Sequence, residues 1–156
     1  MVFLQTFSDG GARGNPGPAA VGVVVCDAGG KVLEETARYI GETTNNKAEY
    51  NAMIMALEMA KKRKARQVLC RADSELIVFQ LQGRYRIKDS ELKKLAEKVK
   101  SLAAQFETVT FEQVPREHPL ISRADKLLNK ELNKAGSAKI KQENLRSMPS
   151  RQGEFW

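Results

Sequence analysis

Four acidic residues, Asp9, Glu49, Asp73 and Asp125, are the side chains in this sequence best suited to chemistry. Each also has a purely structural reading. Asp9 precedes Gly10 and suits a turn. Glu49 stands three residues after Asn46 and completes the pattern of a capping box, as Asp125 does three residues after Ser122. Asp73 precedes an apolar run and suits a helix N-cap. What sets them apart is their common placement, each at the end of a strand or in the first turn of a helix. Glu49 also shares a helical stripe with Met53 and Leu57, so its carboxylate is aimed at the core and must be neutralised, paired or bound to a metal. Four carboxylates brought together repel one another unless cations are present. Hard divalent ions, Mg²⁺ first and Mn²⁺ next, suit an all-oxygen site. Zinc suits it poorly, since the chain has one His and no Cys pair at metal spacing. With a basic protein around it, such a centre points to metal-assisted cleavage of a phosphodiester.

The elements that must position these acids follow from hydrophobic periodicity. Val2 to Ser8 reads as a strand, Gly10 to Pro18 as a Gly/Pro-rich loop, and Val21 to Cys26 as a strand buried on both faces. Asp27 to Gly30 is a turn, and Val32 to Tyr39 completes an antiparallel hairpin. A long helix over about Asn46–Arg63 places Ala48, Ala52, Met53, Ala56, Leu57 and Ala60 on one side. Strand Gln67–Arg71, helix Ser74–Gln82, helix Asp89–Phe106, strand Thr108–Val114 and helix Ser122–Ala135 follow. The order βββαβααβα predicts an α/β fold, a mixed sheet with helices packed on it. If the first and fourth strands are parallel neighbours, Asp9 and Asp73 end side by side at the carboxyl edge, where open α/β sheets keep their sites.

The 156 residues suit one domain, expected over 1–136, with a basic tail over 137–156 that is flexible or docked on the domain. A net charge of +7 favours a polyanionic partner, nucleic acid first. Cys26 and Cys70 sit inside apolar runs and read as buried free thiols of a reducing compartment. With no signal sequence and no run able to span a membrane, a cytoplasmic protein without membrane contact is expected.

At the four acids the sequence resembles ribonuclease HI. The resemblance spans about Phe3 to Asn133 and rests on SDGGARGNPGPAAVGVVV (Ser8–Val25), TTNNKAEYNAMIMALEMA (Thr43–Ala60), DSELIVFQL (Asp73–Leu81) and the looser VPREHPLISRAD (Val114–Asp125). It implies an α/β, RNase H-like fold, a five-stranded mixed sheet of three antiparallel and two parallel strands flanked by helices, and endonucleolytic hydrolysis of the RNA strand of an RNA/DNA hybrid, leaving 5′-phosphate and 3′-hydroxyl ends. It also implies two Mg²⁺ ions about 3.5–4 Å apart in the substrate complex, with Mn²⁺ as substitute, held by Asp9, Glu49, Asp73 and Asp125. Asp9 would bridge both ions, Glu49 and Asp73 would hold the one on the leaving side, and Asp125 the one beside the water. Substrate contacts implied in the same way are Asn15, Asn45 and Asn46, the backbone at Gly10 and Gly11, Thr44 toward a DNA-strand phosphate, and Glu75. The expected partner is the hybrid alone, with no obligate protein partner and a monomeric state. The alternatives are a catalytically silent hybrid-binding protein and a nuclease of the same fold acting on structured DNA.

The sequence departs from the family pattern in three places. The loop before the last acid, where many members carry a helper His, reads PREHPLIS, so Arg116, Glu117 or His118 takes that place; His118, the one His of the chain, is a candidate catalytic helper and equally a solvated loop residue. Glu75 stands where some members carry Gln. The basic protrusion of some members is replaced by GRYRIKD at Gly83–Asp89, which marks a compact form and makes Arg84 and Arg86 the expected phosphate contacts.

Overall fold

The computed structural model describes residues 2–147. Its described elements, in chain order, are strands β1 (Phe3–Ala12), β2 (Gly17–Asp27) and β3 (Val32–Thr43), helix α1 (Asn45–Lys62), strand β4 (Gln67–Ala72), helices α2 (Glu75–Leu81) and α3 (Ser90–Ala103), strand β5 (Thr108–Gln113) and helix α4 (Pro119–Ser147). They form one sheet in the order β3-β2-β1-β4-β5. β1, β2 and β3 pair antiparallel, while β4 pairs parallel with both β1 and β5. This is the mixed sheet expected from the sequence.

Alternation along β2 explains the layers. Val21, Val23 and Val25 face the core under α1, α2 and α3, whereas Val24 and Cys26 face α4. A strand buried on both faces must read as a continuous apolar run, as this one does. α1 is the central helix, and all six residues of its expected stripe are buried. Burying a side chain such as Met53 or Leu57 contributes roughly 1.5–3 kcal/mol, so this stripe anchors the helix. Buried Tyr50 donates its hydroxyl to Gln80 Oε1 at 2.7 Å, tying α1 to α2. Cys26 and Cys70 are buried and free, as expected. Among the described residues no helix is long and apolar enough to cross a membrane.

Two expected boundaries are corrected. The stretch Gly10–Pro18 is not one loop: β1 continues through Ala12 and β2 begins at Gly17, with Gly10, Gly11 and Ala12 paired to Val21, Ala20 and Ala19. Gly10 serves close packing there rather than a turn. α4 begins at Pro119, before Ser122, and runs on to Ser147, past the expected stop at Ala135. Among the described residues Leu132 is its last buried one, but a polar helical segment needs no core contact to continue from a packed helix. The terminal Phe155-Trp156 pair lies outside the described residues.

Candidate active site

The parallel register explains why acids far apart in sequence meet. Phe3 to Phe7 of β1 lie beside Gln67 to Arg71 of β4, a constant offset. Carried two residues further, that register sets Asp73 level with Asp9. Glu49 arrives from the second turn of α1, where its Oε1 accepts the Gly10 amide hydrogen at 3.0 Å. One carboxylate oxygen each from Asp9, Glu49 and Asp73 lies within 4.8 Å of the others. Asp125 comes from the second turn of α4 and lines the same cleft of about 510 Å³.

None of the four acids performs the structural task its sequence context suggested. Asp9 sits within β1, not at a turn. The N-cap of α1 is Thr44, whose Oγ1 accepts from Lys47 N at 3.3 Å, so Glu49 and Asn46 form no capping box. The N-cap of α2 is Ser74, not Asp73. α4 starts three residues before Ser122, which leaves Asp125 inside the helix.

Two glycines, only one of them singled out in the sequence, let the helices reach the acids. A Cβ at Gly10 would fall 2.2 Å from Ala48 O, and one at Gly22 would fall 2.2 Å from Ala124 O. Gly22 is the partner of Asp9 across the β1–β2 ladder. The bare backbone at Gly22 thus lets α4 settle onto the sheet beside Asp9, one residue before Asp125. A glycine inside an otherwise apolar strand was the available signal.

Electrostatically the site is held under tension. Burial pushes the Asp9 carboxyl up to about 7, assisted by the charges of Asp73 and Asp125 and partly offset by a hydrogen bond with Glu49. Glu49 is raised well above its usual range, by burial first and by Asp9 next. Burial also raises Asp73, against the opposing pull of the nearby Arg116 guanidinium. Groups whose folded pKa exceeds the unfolded value bind more protons when folded, so their stabilising contribution is present at low pH and lost as pH rises through the folded pKa. In chelator, stability should therefore fall between about pH 4 and 7, by up to about 1.4 kcal/mol per pH unit for each proton involved. Urea midpoints at pH 5 and pH 8, for the parent and for Asp9→Asn, measure this; a parent whose midpoint rises over that interval no less than the variant's would contradict it.

The donor set fits hard divalent cations. It is all oxygen, clustered and self-repelling, and a cation would relieve the repulsion that adds to burial in raising these pKa values. His and Cys are absent from it. His118 is placed elsewhere, stacked on Phe7 with ring centroids 4.9 Å apart and with Nδ1 accepting from Leu120 N at 3.1 Å. His118 has one ring nitrogen engaged at the start of α4, whereas Arg116 lines the cleft.

The remaining residues named from the sequence divide into two groups. Gly10, Gly11, Asn45 and Asn46 line the cleft. The Gly10 amide, however, is committed to Glu49. Asn45 Oδ1 accepts from Ala12 N at 2.8 Å, and Asn15 Oδ1 accepts from Asn45 N at 3.0 Å. These bonds tie the β1–β2 loop to the start of α1 and leave the two NH₂ groups to offer a ligand. Thr44 is occupied as the cap. The second group is not among the cleft-lining residues. Glu75 accepts from the Tyr85 hydroxyl at 2.7 Å, and Arg84 lies over the Phe79 ring at 3.9 Å. Arg86 lines a different recess, with Tyr85 and Lys93. Two cleft residues went unnoticed in the sequence, Arg13 and Asn129. Asn129 stands four residues after Asp125 on α4, a helical spacing that could have found it.

Comparison with known proteins agrees with this fold. Residues 7–130 match the family model described as reverse transcriptase-like. A bifunctional protein of Mycobacterium tuberculosis is 41% identical over 132 residues, covering 84% of this chain and 36% of that protein. Ribonuclease HI of Halobacterium salinarum is 38% identical over 132 residues, covering 85% of this chain and 65% of the relative. The chain thus spans about a third of the length of the mycobacterial relative. Among solved structures, LC11-RNase H1 in complex with an RNA/DNA hybrid superposes with a TM-score of 0.80 at 44% identity, covering 85% of this chain and 98% of that one.

Proposed function

The chain belongs to the ribonuclease HI family, and from that premise we propose that it is an endoribonuclease hydrolysing the RNA strand of RNA/DNA hybrids to 5′-phosphate and 3′-hydroxyl ends. The observation that carries this reading is the meeting of Asp9, Glu49 and Asp73 oxygens within 4.8 Å, in one cleft with Asp125. Two Mg²⁺ ions, or Mn²⁺ in their place, would supply an activated water and neutralise charge on the leaving oxygen. Asp9, Glu49, Asp73 and Asp125 would hold them.

The protein's own residues perform the rest. Gly10 N–H fixes the Glu49 carboxylate toward the cleft, which limits reorganisation when charge develops. The amide groups of Asn15, Asn45 and Asn46 suit minor-groove base edges and 2′-hydroxyls, the feature that separates RNA from DNA. Arg116 beside Asp73 offers positive charge at the cleft wall, the place expected of the loop helper. Phosphate contacts from Arg84 and Arg86 belong to a more distant part of the substrate, since neither lines the cleft.

A panel of end-labelled hybrid, double-stranded RNA, double-stranded DNA and one-ribonucleotide duplex tests this reading, each with Mg²⁺, with Mn²⁺ and with EDTA. Cleavage of the hybrid's RNA strand with either metal, and silence in chelator, is the expected result. Activity persisting in EDTA would rule out metal-ion chemistry. Binding of hybrid without cleavage in any metal would support the catalytically silent alternative.

A further inference from the structure

Resting on that reading, we propose that Arg13 is a phosphate subsite for the cut strand, gripping a backbone phosphate one or two nucleotides from the scissile one on the α4 side of the cleft. Arg13 is exposed and lines the cleft with the four acids, yet among the described residues it makes no ion pair with an acid. Its guanidinium touches neutral groups instead: Nη2 donates to Asn129 O and Oδ1, both at 3.3 Å. These are long bonds from one nitrogen of a group with five N–H donors, so most of its donor capacity remains for a ligand.

The base of the side chain, in contrast, is firmly set. Arg13 N donates to Pro18 O at 2.8 Å, and a Cβ on Gly17 would fall 2.1 Å from Arg13 O, so only glycine allows the loop to close there. A fixed root with a loosely tethered cationic tip suits a contact completed by the substrate. The tether also sets the distance. Asn129 lies one turn beyond Asp125, about 6 Å along the helix axis. A phosphate gripped that close to Asp125 is a near neighbour of the scissile one, which the proposal sets at one or two nucleotides. Asn129 in turn donates Nδ2 to Asp125 O at 2.9 Å, so the tether and the acid share one helical turn.

The test compares full-length Arg13→Ala and Arg13→Lys with the parent on hybrids carrying a single neutral methylphosphonate at each linkage near the cut. Arg13→Ala should raise KM about tenfold with kcat falling less than threefold and Tm unmoved, and should reduce the slope of log KM against log salt by about 1. Arg13→Lys should retain the salt slope but not the full affinity, because an ammonium cannot reproduce a forked contact. In the parent, one neutral linkage should cost about as much as Arg13→Ala, and the variant should lose nothing further there. Lowered Tm and kcat with an unchanged salt slope, or a methylphosphonate penalty that persists in the variant, would overturn the proposal and leave Arg13 as a tether for α4. Anisotropy titration of labelled hybrid in EDTA reads the same affinity loss without turnover. It judges Arg13 even if the parent cleaves no hybrid, a failure belonging to the functional reading itself.

Discussion

Asp9→Asn should abolish hybrid cleavage while raising the melting temperature of the metal-free protein. Asp9 lies among the other three acids, on the central strand, and its carboxyl is held near 7 mainly by burial. On the proposed function, removing its charge takes away a ligand of the metal ions. Losing about 4 kcal/mol of transition-state charge stabilisation lowers the rate about 10³-fold, and the loss here should be at least that. The same substitution ends the repulsion with Asp73 and Asp125 and leaves an amide that can donate to Glu49. At pH 8 in chelator this should stabilise the fold by on the order of 2 kcal/mol, or about 4–8 °C in Tm. Saturating kcat in Mg²⁺ and a thermal scan in EDTA provide the two readouts. Near-normal turnover would remove Asp9 from the site, and a lowered Tm would mean the carboxylate stabilises the apo fold instead of straining it.

The second large effect is expected at a residue with no side chain to titrate. Gly22→Ala would set a methyl 2.2 Å from Ala124 O and 3.3 Å from Leu128 N, both backbone atoms of α4. No rotamer change relieves a clash between two backbones, so α4 must lift from the sheet. A destabilisation of about 2–4 kcal/mol follows from overpacking of this kind. Since Asp125 moves with Ala124, kcat should fall as well, about 10²-fold for a displacement near 1 Å. Gly11→Ala is the stability control, because its methyl would meet only Leu128 Cδ1, at an ordinary 3.6 Å. Urea midpoints for both variants and kcat for Gly22→Ala decide the matter; a Gly22→Ala protein as stable and active as the parent would show that α4 has slack at this crossing.

Much of this was legible from local patterns. The apolar run of β2 and the stripe of α1 carry their own burial signatures, because side-chain periodicity directly reflects which faces are covered. The parallel β1–β4 neighbourhood that brings Asp9 and Asp73 together followed from element order and the short list of allowed connections. The loop drawn over Gly10–Pro18 was misjudged because glycine carries two meanings. It permits turns, and it also permits close approach of another backbone, and nothing nearby in sequence says which applies. The same ambiguity hid Gly22.

The sequence by itself determined the kind of sheet and the central helix, since those depend on periodicity, and it singled out the four acids by residue type and motif. Only the tertiary structure decided which neighbours complete the site. It gave the Gly10 amide to Glu49, made Thr44 and Ser74 the caps, turned His118 onto Phe7, and brought Arg13 and Arg116 to the cleft walls. The physical reason is range. Hydrogen bonds and charge contacts act over a few ångströms between groups such as Gly10 and Glu49, which are 39 residues apart, and that proximity exists only once the helices have packed on the sheet.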